Sequence, residues 1–154
     1  MRQVISIDTE KCTGCHVCEL VCSSRKYKAF NPRSSLIGVV SFGTTLDAAL
    51  ACQFCEKPTC VRVCPRKALT RDDQTGVILV DETRCTGCGW CAASCEFGAM
   101  TVDPGKKVIT VCDLCQGKPQ CVQYCPQQAL QLTTQEAISA KKRQTATLDL
   151  TKQK

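Results

Sequence analysis

The sequence predicts an α+β chain of short antiparallel strands and short helices arranged as two small modules. Three observations predict it. The 154 residues include 16 cysteines, and these fall into four similarly spaced quartets. Two of the quartets are preceded by nearly the same residues, so the chain repeats itself internally. Ordinary apolar residues are also too few for a conventional core. Hydrophobic content is 44% with the cysteines counted, and only about a third without them. The cysteines, or what they bind, must complete the interior.

The strands come first. Residues 4–15 read VISIDTEKCTGC and residues 77–88 read VILVDETRCTGC. In each, a β-rich apolar run at 4–7 or 77–80 leads into a turn and a cysteine motif. Residues 69–70 can pair with 77–80 across the polar turn at 71–76. Residues 100–102 and 108–111 flank Asp103-Pro104-Gly105-Lys106 and predict a β-hairpin. The longest connector, 23–51, carries an apolar patch at 36–42 that reads as a strand, with turn signals at Asn31-Pro32 and Gly43. Residues 133–154 have no cysteine and five basic residues against Glu136 and Asp149. They read as a solvated basic C-terminal tail, or as a segment that orders on a partner.

The quartets carry the chemistry. They are Cys12, Cys15, Cys18, Cys22; Cys52, Cys55, Cys60, Cys64; Cys85, Cys88, Cys91, Cys95; and Cys112, Cys115, Cys121, Cys125. The first and third read C-x2-C-x2-C-x3-C. The second and fourth lengthen the middle gap and end in C-P, at Pro65 and Pro126. A [4Fe–4S] cube wants one thiolate at each of four iron corners. Three closely spaced cysteines reach three corners, and the fourth, expected where a helix starts, serves a neighbouring cube. Sixteen thiolates thus satisfy four clusters.

Other uses of cysteine fit less well. Eight disulfides suit an oxidising compartment, and no export signal is readable at Met1-Arg2. Zinc sites combine two C-x2-C pairs across a longer loop. A metal sponge of the metallothionein kind lacks strand-forming segments. Gly14 and Gly87 are expected to bring the backbone close to inorganic sulfide. Motif one has Ser23, and motif three Glu96, where Pro65 and Pro126 stand in the others. Their intact cysteines still predict bound clusters. An alanine follows the last cysteine by four positions in CPRKAL, CEFGAM and CPQQAL.

With the quartets laid out, the chain resembles the four-cluster, ferredoxin-like electron-transfer subunits of molybdenum and tungsten oxidoreductases. The resemblance runs from about residue 4 to 132 and is strongest in CQFCEKPTCVRVCPRKAL and CDLCQGKPQCVQYCPQQAL. That family includes the small subunits of dimethyl sulfoxide reductase, formate dehydrogenase and nitrate reductase. The resemblance implies two bacterial-ferredoxin-like modules, one inserted in the other: 1–45 plus 104–132, and 46–103. It also implies the ligand sets. Cys12, Cys15 and Cys18 would share a cluster with Cys125, and Cys112, Cys115 and Cys121 with Cys22. Cys52, Cys55 and Cys60 would share one with Cys95, and Cys85, Cys88 and Cys91 with Cys64. Some members replace one cysteine with tryptophan; Trp90 displaces no ligand here.

The function so implied is a relay of single electrons to or from a molybdenum- or tungsten-pterin partner. The short chain resembles the subunits serving tungsten aldehyde oxidoreductases. A second redox partner is implied as well. The alternatives are a free polyferredoxin, or the same role beside a hydrogenase or carbon monoxide dehydrogenase. Catalysis by the chain itself is not expected: it has no dinucleotide fingerprint, phosphate loop or zinc-protease motif, and the quartets leave no iron open. No apolar run approaches the roughly 18 residues of a membrane span, and a cytoplasmic setting is expected. End-to-end self-association would extend the wire. His16 is expected to be a surface side chain or a modulator of the first cluster. Trp90 and Phe97 are expected to cover a cluster. The formal charge of +6 first suggests nucleic acid or anionic lipid. Four oxidised cluster sites would contribute about −8, leaving the loaded chain at about −2. The basic residues then offset clusters, and no nucleic-acid partner is expected.

Overall fold

The computed structural model describes residues 2–43 and 46–152. Among the described residues, four separate two-stranded antiparallel sheets, five α-helices and one short 3-10 helix make up the fold. Strand β1 (Gln3–Ile7) pairs with β8 (Leu130–Thr134), Ile5 opposite Leu132 and Ile7 opposite Leu130. Strands β2 (Gly38–Phe42) and β3 (Leu46–Leu50) form a hairpin. Two shorter hairpins are β4 (Leu69–Arg71) with β5 (Ile78–Val80) and β6 (Met100–Val102) with β7 (Ile109–Val111). The α-helices are α1 (Val17–Tyr27), α2 (Thr59–Arg62), α3 (Trp90–Ala93), α4 (Gln120–Gln123) and α5 (Gln135–Lys152).

The expected strands at 4–7, 69–70, 77–80, 100–102 and 108–111 are present within a residue or two at their ends. The patch at 36–42 is a strand only from Gly38. Leu36 and Ile37 instead lie buried ahead of it in the core. Its partner β3 carries no β-branched residue, so nothing in its composition marks a strand.

Two corrections concern helices. The fourth cysteine does not start a helix. In motifs two, three and four a single helical turn carries the third cysteine and ends just before the fourth. In motif one the helix runs on through Cys22 to Tyr27. Ser23 explains why proline is absent there. Its side chain is fully buried, donates to the Leu20 carbonyl at 3.0 Å and accepts from the Asn31 N–H at 3.1 Å. A proline would interrupt this longer helix. The second concerns the tail, which is helical and not frayed over its described length, while its described side chains stay largely exposed, as expected of a solvated segment. Residues 130–134 form β8, and α5 follows directly and packs on β1 and β8. Ile138 rests against the core. Helix formers such as Ala137, Ala140 and Lys141 favour this helix, but the segment has almost no amphipathic stripe to reveal it.

The interior is divided in two. One cluster gathers Val4, Ile5, Leu36, Ile37, Phe54, Leu114 and Leu130 with Cys18, Cys112 and Cys121. The other gathers Leu69, Ile78, Met100, Ile109 and Val111 with Cys91. Cys52 packs against both. The module boundaries expected at 45/46 and 103/104 fall in hairpin turns, so each hairpin has one strand on either side. Tyr27 lies beside Thr110 and Asp103, which brings the end of α1 against the β6–β7 hairpin. Asp103 itself accepts the N–H groups of Gly105 and Lys106 at 2.8 and 2.9 Å. Those bonds, led by that of Lys106, hold its carboxyl below the usual carboxylate range. Among the described residues no helix is long and apolar enough to cross a membrane.

Gly87 sits at φ +64°, and a Cβ built there would run into the Lys107 carbonyl oxygen. Gly87→Ala therefore meets both a clash and a left-handed penalty of about 1–2 kcal/mol. We expect it to lower thermal stability by several degrees in the iron-loaded chain. Gly38→Ala, with open space and no positive φ, should change it far less. Equal melting temperatures for the two variants would contradict this packing.

Candidate iron–sulfur sites

The first C-x2-C pair of every motif curls the same way because its second spacer residue is left-handed. Those residues are Gly14 (φ 63°), Phe54 (φ 47°), Gly87 (φ 64°) and Leu114 (φ 55°). Glycine explains two of the four. At the others a residue with a Cβ carries about 1–2 kcal/mol of backbone strain, and burial offsets it. Phe54 is 0% exposed and Leu114 4%, each contributing about 1.5–3 kcal/mol. Gly14 and Gly87 also admit a close approach by the rest of the chain. Their missing Cβ positions are taken by protein: the Asp47 carboxylate, 2.6–2.8 Å away, at Gly14, and the Lys107 carbonyl at Gly87.

The sixteen cysteines are all free thiols, and only Cys15 and Cys88 are exposed. Cys12, Cys15, Cys18 and Cys125 line one pocket with Val39, Ala49 and Leu130. Cys22, Cys112, Cys115 and Cys121 line a cavity of about 220 Å³ with Arg25, Lys26, Leu36 and Leu114. Cys64, Cys85, Cys88 and Cys91 line a third pocket with Arg66 and Leu69. Cys52 lies within electrostatic reach of Cys60, Cys55 and Cys95. Each group thus joins three cysteines of one motif to the last cysteine of another. Among the described residues, no three His, Cys, Asp or Glu side chains are placed to hold a single metal ion. The thiols border cavities instead, as donors for the separate corners of a cube would.

The groups also follow one another in space. Cys121 lies within electrostatic range of Cys18, Cys112 of Cys52, and Cys91 of Cys60. This places the groups in a row: the Cys12 group, the Cys22 group, the Cys52 group and the Cys64 group. The exposed thiols Cys15 and Cys88 belong to the two end groups.

Backbone N–H groups complete the sulfur environment. Ala68 donates to Cys64 Sγ at 3.3 Å and Ala99 to Cys95 Sγ at 3.4 Å. At Ala68 and Ala99 the repeated alanine, four positions after the last cysteine, is therefore a buried sulfur donor, and Ala129 is buried as well. In motif one that position is Lys26, inside α1, and Leu36 donates to Cys22 Sγ at 3.3 Å instead. Ile109 donates to Cys85 Sγ at 3.3 Å and Leu114 to Cys112 Sγ at 3.4 Å. Four soft thiol donors per group, apolar walls and N–H groups aimed at sulfur fit [4Fe–4S] clusters.

The residues outside the quartets are placed differently from one another. His16 is half exposed, with Nδ1 2.7 Å from Glu19 Oε2. Glu19 was not singled out by the sequence, yet it is buried. Its Oε1 accepts the Val39 N–H at 2.7 Å, so it locks the β2–β3 hairpin to α1. Trp90 and Phe97 are 63% and 38% exposed. Trp90 opens α3 and Phe97 lies beyond its end; neither ring is buried.

Burial governs the thiols. It pushes Cys18, Cys52 and Cys121 up to about 12 and Cys91 up to about 11. Cys112 is raised further for the same reason. These groups are protonated at neutral pH until iron displaces the proton. Loading with iron and sulfide should therefore release protons and go further at about pH 8.5 than at about pH 7. Proton release followed by pH-stat titration checks this. Loading that is independent of pH would contradict it.

Comparison with known proteins agrees with this chemistry. The 4Fe-4S dicluster domain family matches residues 45–135, and the 4Fe-4S binding domain family matches residues 9–27. The polyferredoxin-like subunit of aliphatic sulfonate oxidoreductase from Pyrococcus furiosus is 36% identical over 121 residues, 79% of this chain and 70% of that one. One polypeptide of the anaerobic dimethyl sulfoxide reductase of Escherichia coli is 32% identical over 145 residues, 80% of this chain and 69% of that one. Among solved structures, a component of the active site complex BamBC of benzoyl coenzyme A reductase is similar at TM-score 0.50 and 29% identity. That match covers 85% of this chain and 76% of the other. The protein belongs to the 4Fe-4S dicluster domain family, the iron–sulfur electron-transfer subunits of oxidoreductases.

Proposed function

We propose that the chain holds four [4Fe–4S] clusters in a row and relays single electrons to or from a catalytic molybdenum- or tungsten-pterin partner. The observation that carries this reading is the grouping of the cysteines. Every group takes three thiols from one motif and one from another, and no cysteine is left over. A bound [4Fe–4S] cluster supplies reversible one-electron storage. The sixteen cysteines act as ligands, not as nucleophiles, and the chain performs no bond-making step of its own. Phe54, Leu114, Leu36 and Leu69 keep water from the sites. The N–H groups of Leu36, Ala68, Ala99, Ile109 and Leu114 stabilise negative charge on sulfur. Arg25, Lys26 and Arg66 offset the charge a loaded site carries. The free thiols suit a reducing compartment, the cytoplasm. The sharing of sites between motifs one and four, and between two and three, supports the module scheme of 1–45 plus 104–132 around 46–103. The chain's similarity to subunits of oxidoreductase complexes supports a catalytic partner, and the aldehyde-oxidising type is the one proposed.

Iron counting in cysteine variants tests the grouping. Wild type should carry about sixteen iron and sixteen acid-labile sulfide. Cys12→Ala should lose about four iron, and Cys12→Ala with Cys125→Ala about the same four, because both serve one site. Cys12→Ala with Cys22→Ala should lose about eight. Equal losses in the two double variants would overturn the ligand sets. Purification from the native host tests the partner. Co-elution with a large pterin-containing subunit is expected, and a lone 17 kDa species would contradict it.

A further inference from the structure

The two ends of the row present different surfaces. At the Cys15 end the β2–β3 hairpin lies over the site: Asp47 sits against Gly14, and Val39 and Ala49 line the pocket. At the Cys88 end the β6–β7 hairpin approaches Gly87 through Lys107, and Cys88, like Cys15, is exposed. Beside it stand Trp90, 63% exposed, and Val102, 40% exposed and next to Gly87.

Cations surround this small apolar centre. Arg66 lines the same pocket as Cys88 and is exposed. Lys107 is exposed as well and abuts Gly87 through its carbonyl. Neither side chain has an ion-pair partner among the described residues. Arg84 and Lys106 are also largely exposed, but each already pairs, with Asp81 at 3.4 Å and Glu82 at 2.9 Å. The face therefore keeps an excess of positive charge around an exposed indole. A permanent subunit interface is wider and more apolar than this. A narrow aromatic centre with an unpaired cationic rim suits transient, electrostatically steered docking.

We propose that the Trp90 face docks a diffusible, acidic one-electron carrier protein, leaving the opposite end of the row for the catalytic partner. The exchange moves one electron between the carrier and the chain; no bond forms or breaks and no proton moves. The inference rests on the electron-transfer reading above. A single experiment separates the two. Binding of a small acidic ferredoxin to the iron-loaded chain is measured by surface plasmon resonance at about 50 and 300 mM salt. Iron content and reduction by dithionite are recorded for every variant.

Wild type should bind at low salt and lose most affinity at high salt. Lys106→Glu with Lys107→Glu should weaken low-salt binding at least about tenfold, and Trp90→Ala should raise the off-rate. Phe42→Ser, on the hairpin at the other end, should bind as wild type does. All variants should keep wild-type iron and dithionite reduction. Unchanged affinity in the charge-reversed variant overturns the proposal, as does a loss caused by Phe42→Ser. Trp90-dependent binding to anionic phospholipid vesicles without ferredoxin binding would also overturn it, in favour of a membrane. A loaded wild-type chain that dithionite cannot reduce would instead bring down the electron-transfer reading, and the docking face with it.

Discussion

A cysteine thiol set in a pocket, walled by apolar side chains and met in several sites by a backbone N–H, is the interaction around which this chain is organised. Cys18, Cys91, Cys112 and Cys121 are themselves members of the buried clusters. Aliphatic side chains alone leave an interior with a cavity of about 220 Å³ beside Cys112. A domain with so little apolar substance needs another source of cohesion. Iron–thiolate bonds supply it, because the free energy of filling the sites is also free energy of folding.

The same constraint explains why the sheets are small. None of the four has more than two strands, and a lone hairpin is marginal in water. Each one borders a site instead of building a layered core. β1 and β8 close over the first cluster of apolar residues, and β4 to β7 pack around the second. The Tyr27 contact with Thr110 and Asp103, and the shared position of Cys52, join the two halves. Long-range links of this kind suit a molecule whose sites must stay in a row.

Much of the site was legible in the sequence because cysteine spacing is a direct record of ligand geometry. The repeat at VISIDTEKCTGC and VILVDETRCTGC placed two strands, and the alanine four residues past the last cysteine of motifs two, three and four was visible before its purpose was. The left-handed turns at Phe54 and Leu114 were not legible, since their strain is offset by burial that no local pattern shows. β3 lacked β-branched residues, and α5 lacked an apolar stripe, so both were missed. Glu19 was missed because its partners, His16 and the Val39 N–H, meet it only after the hairpin folds back. The spatial order of the groups also arises wholly from tertiary packing. Charge was misleading until place was known. Arg25, Lys26 and Arg66 stand beside thiols, so part of the +6 is local compensation.

The central claim is that filled cluster sites complete the core. It is tested most directly by circular dichroism of the loaded protein before and after anaerobic removal of iron with a strong chelator. The account predicts loss of the native spectrum as iron leaves, with recovery on reloading with iron and sulfide. An iron-free protein that kept the native spectrum and a cooperative melt would contradict it.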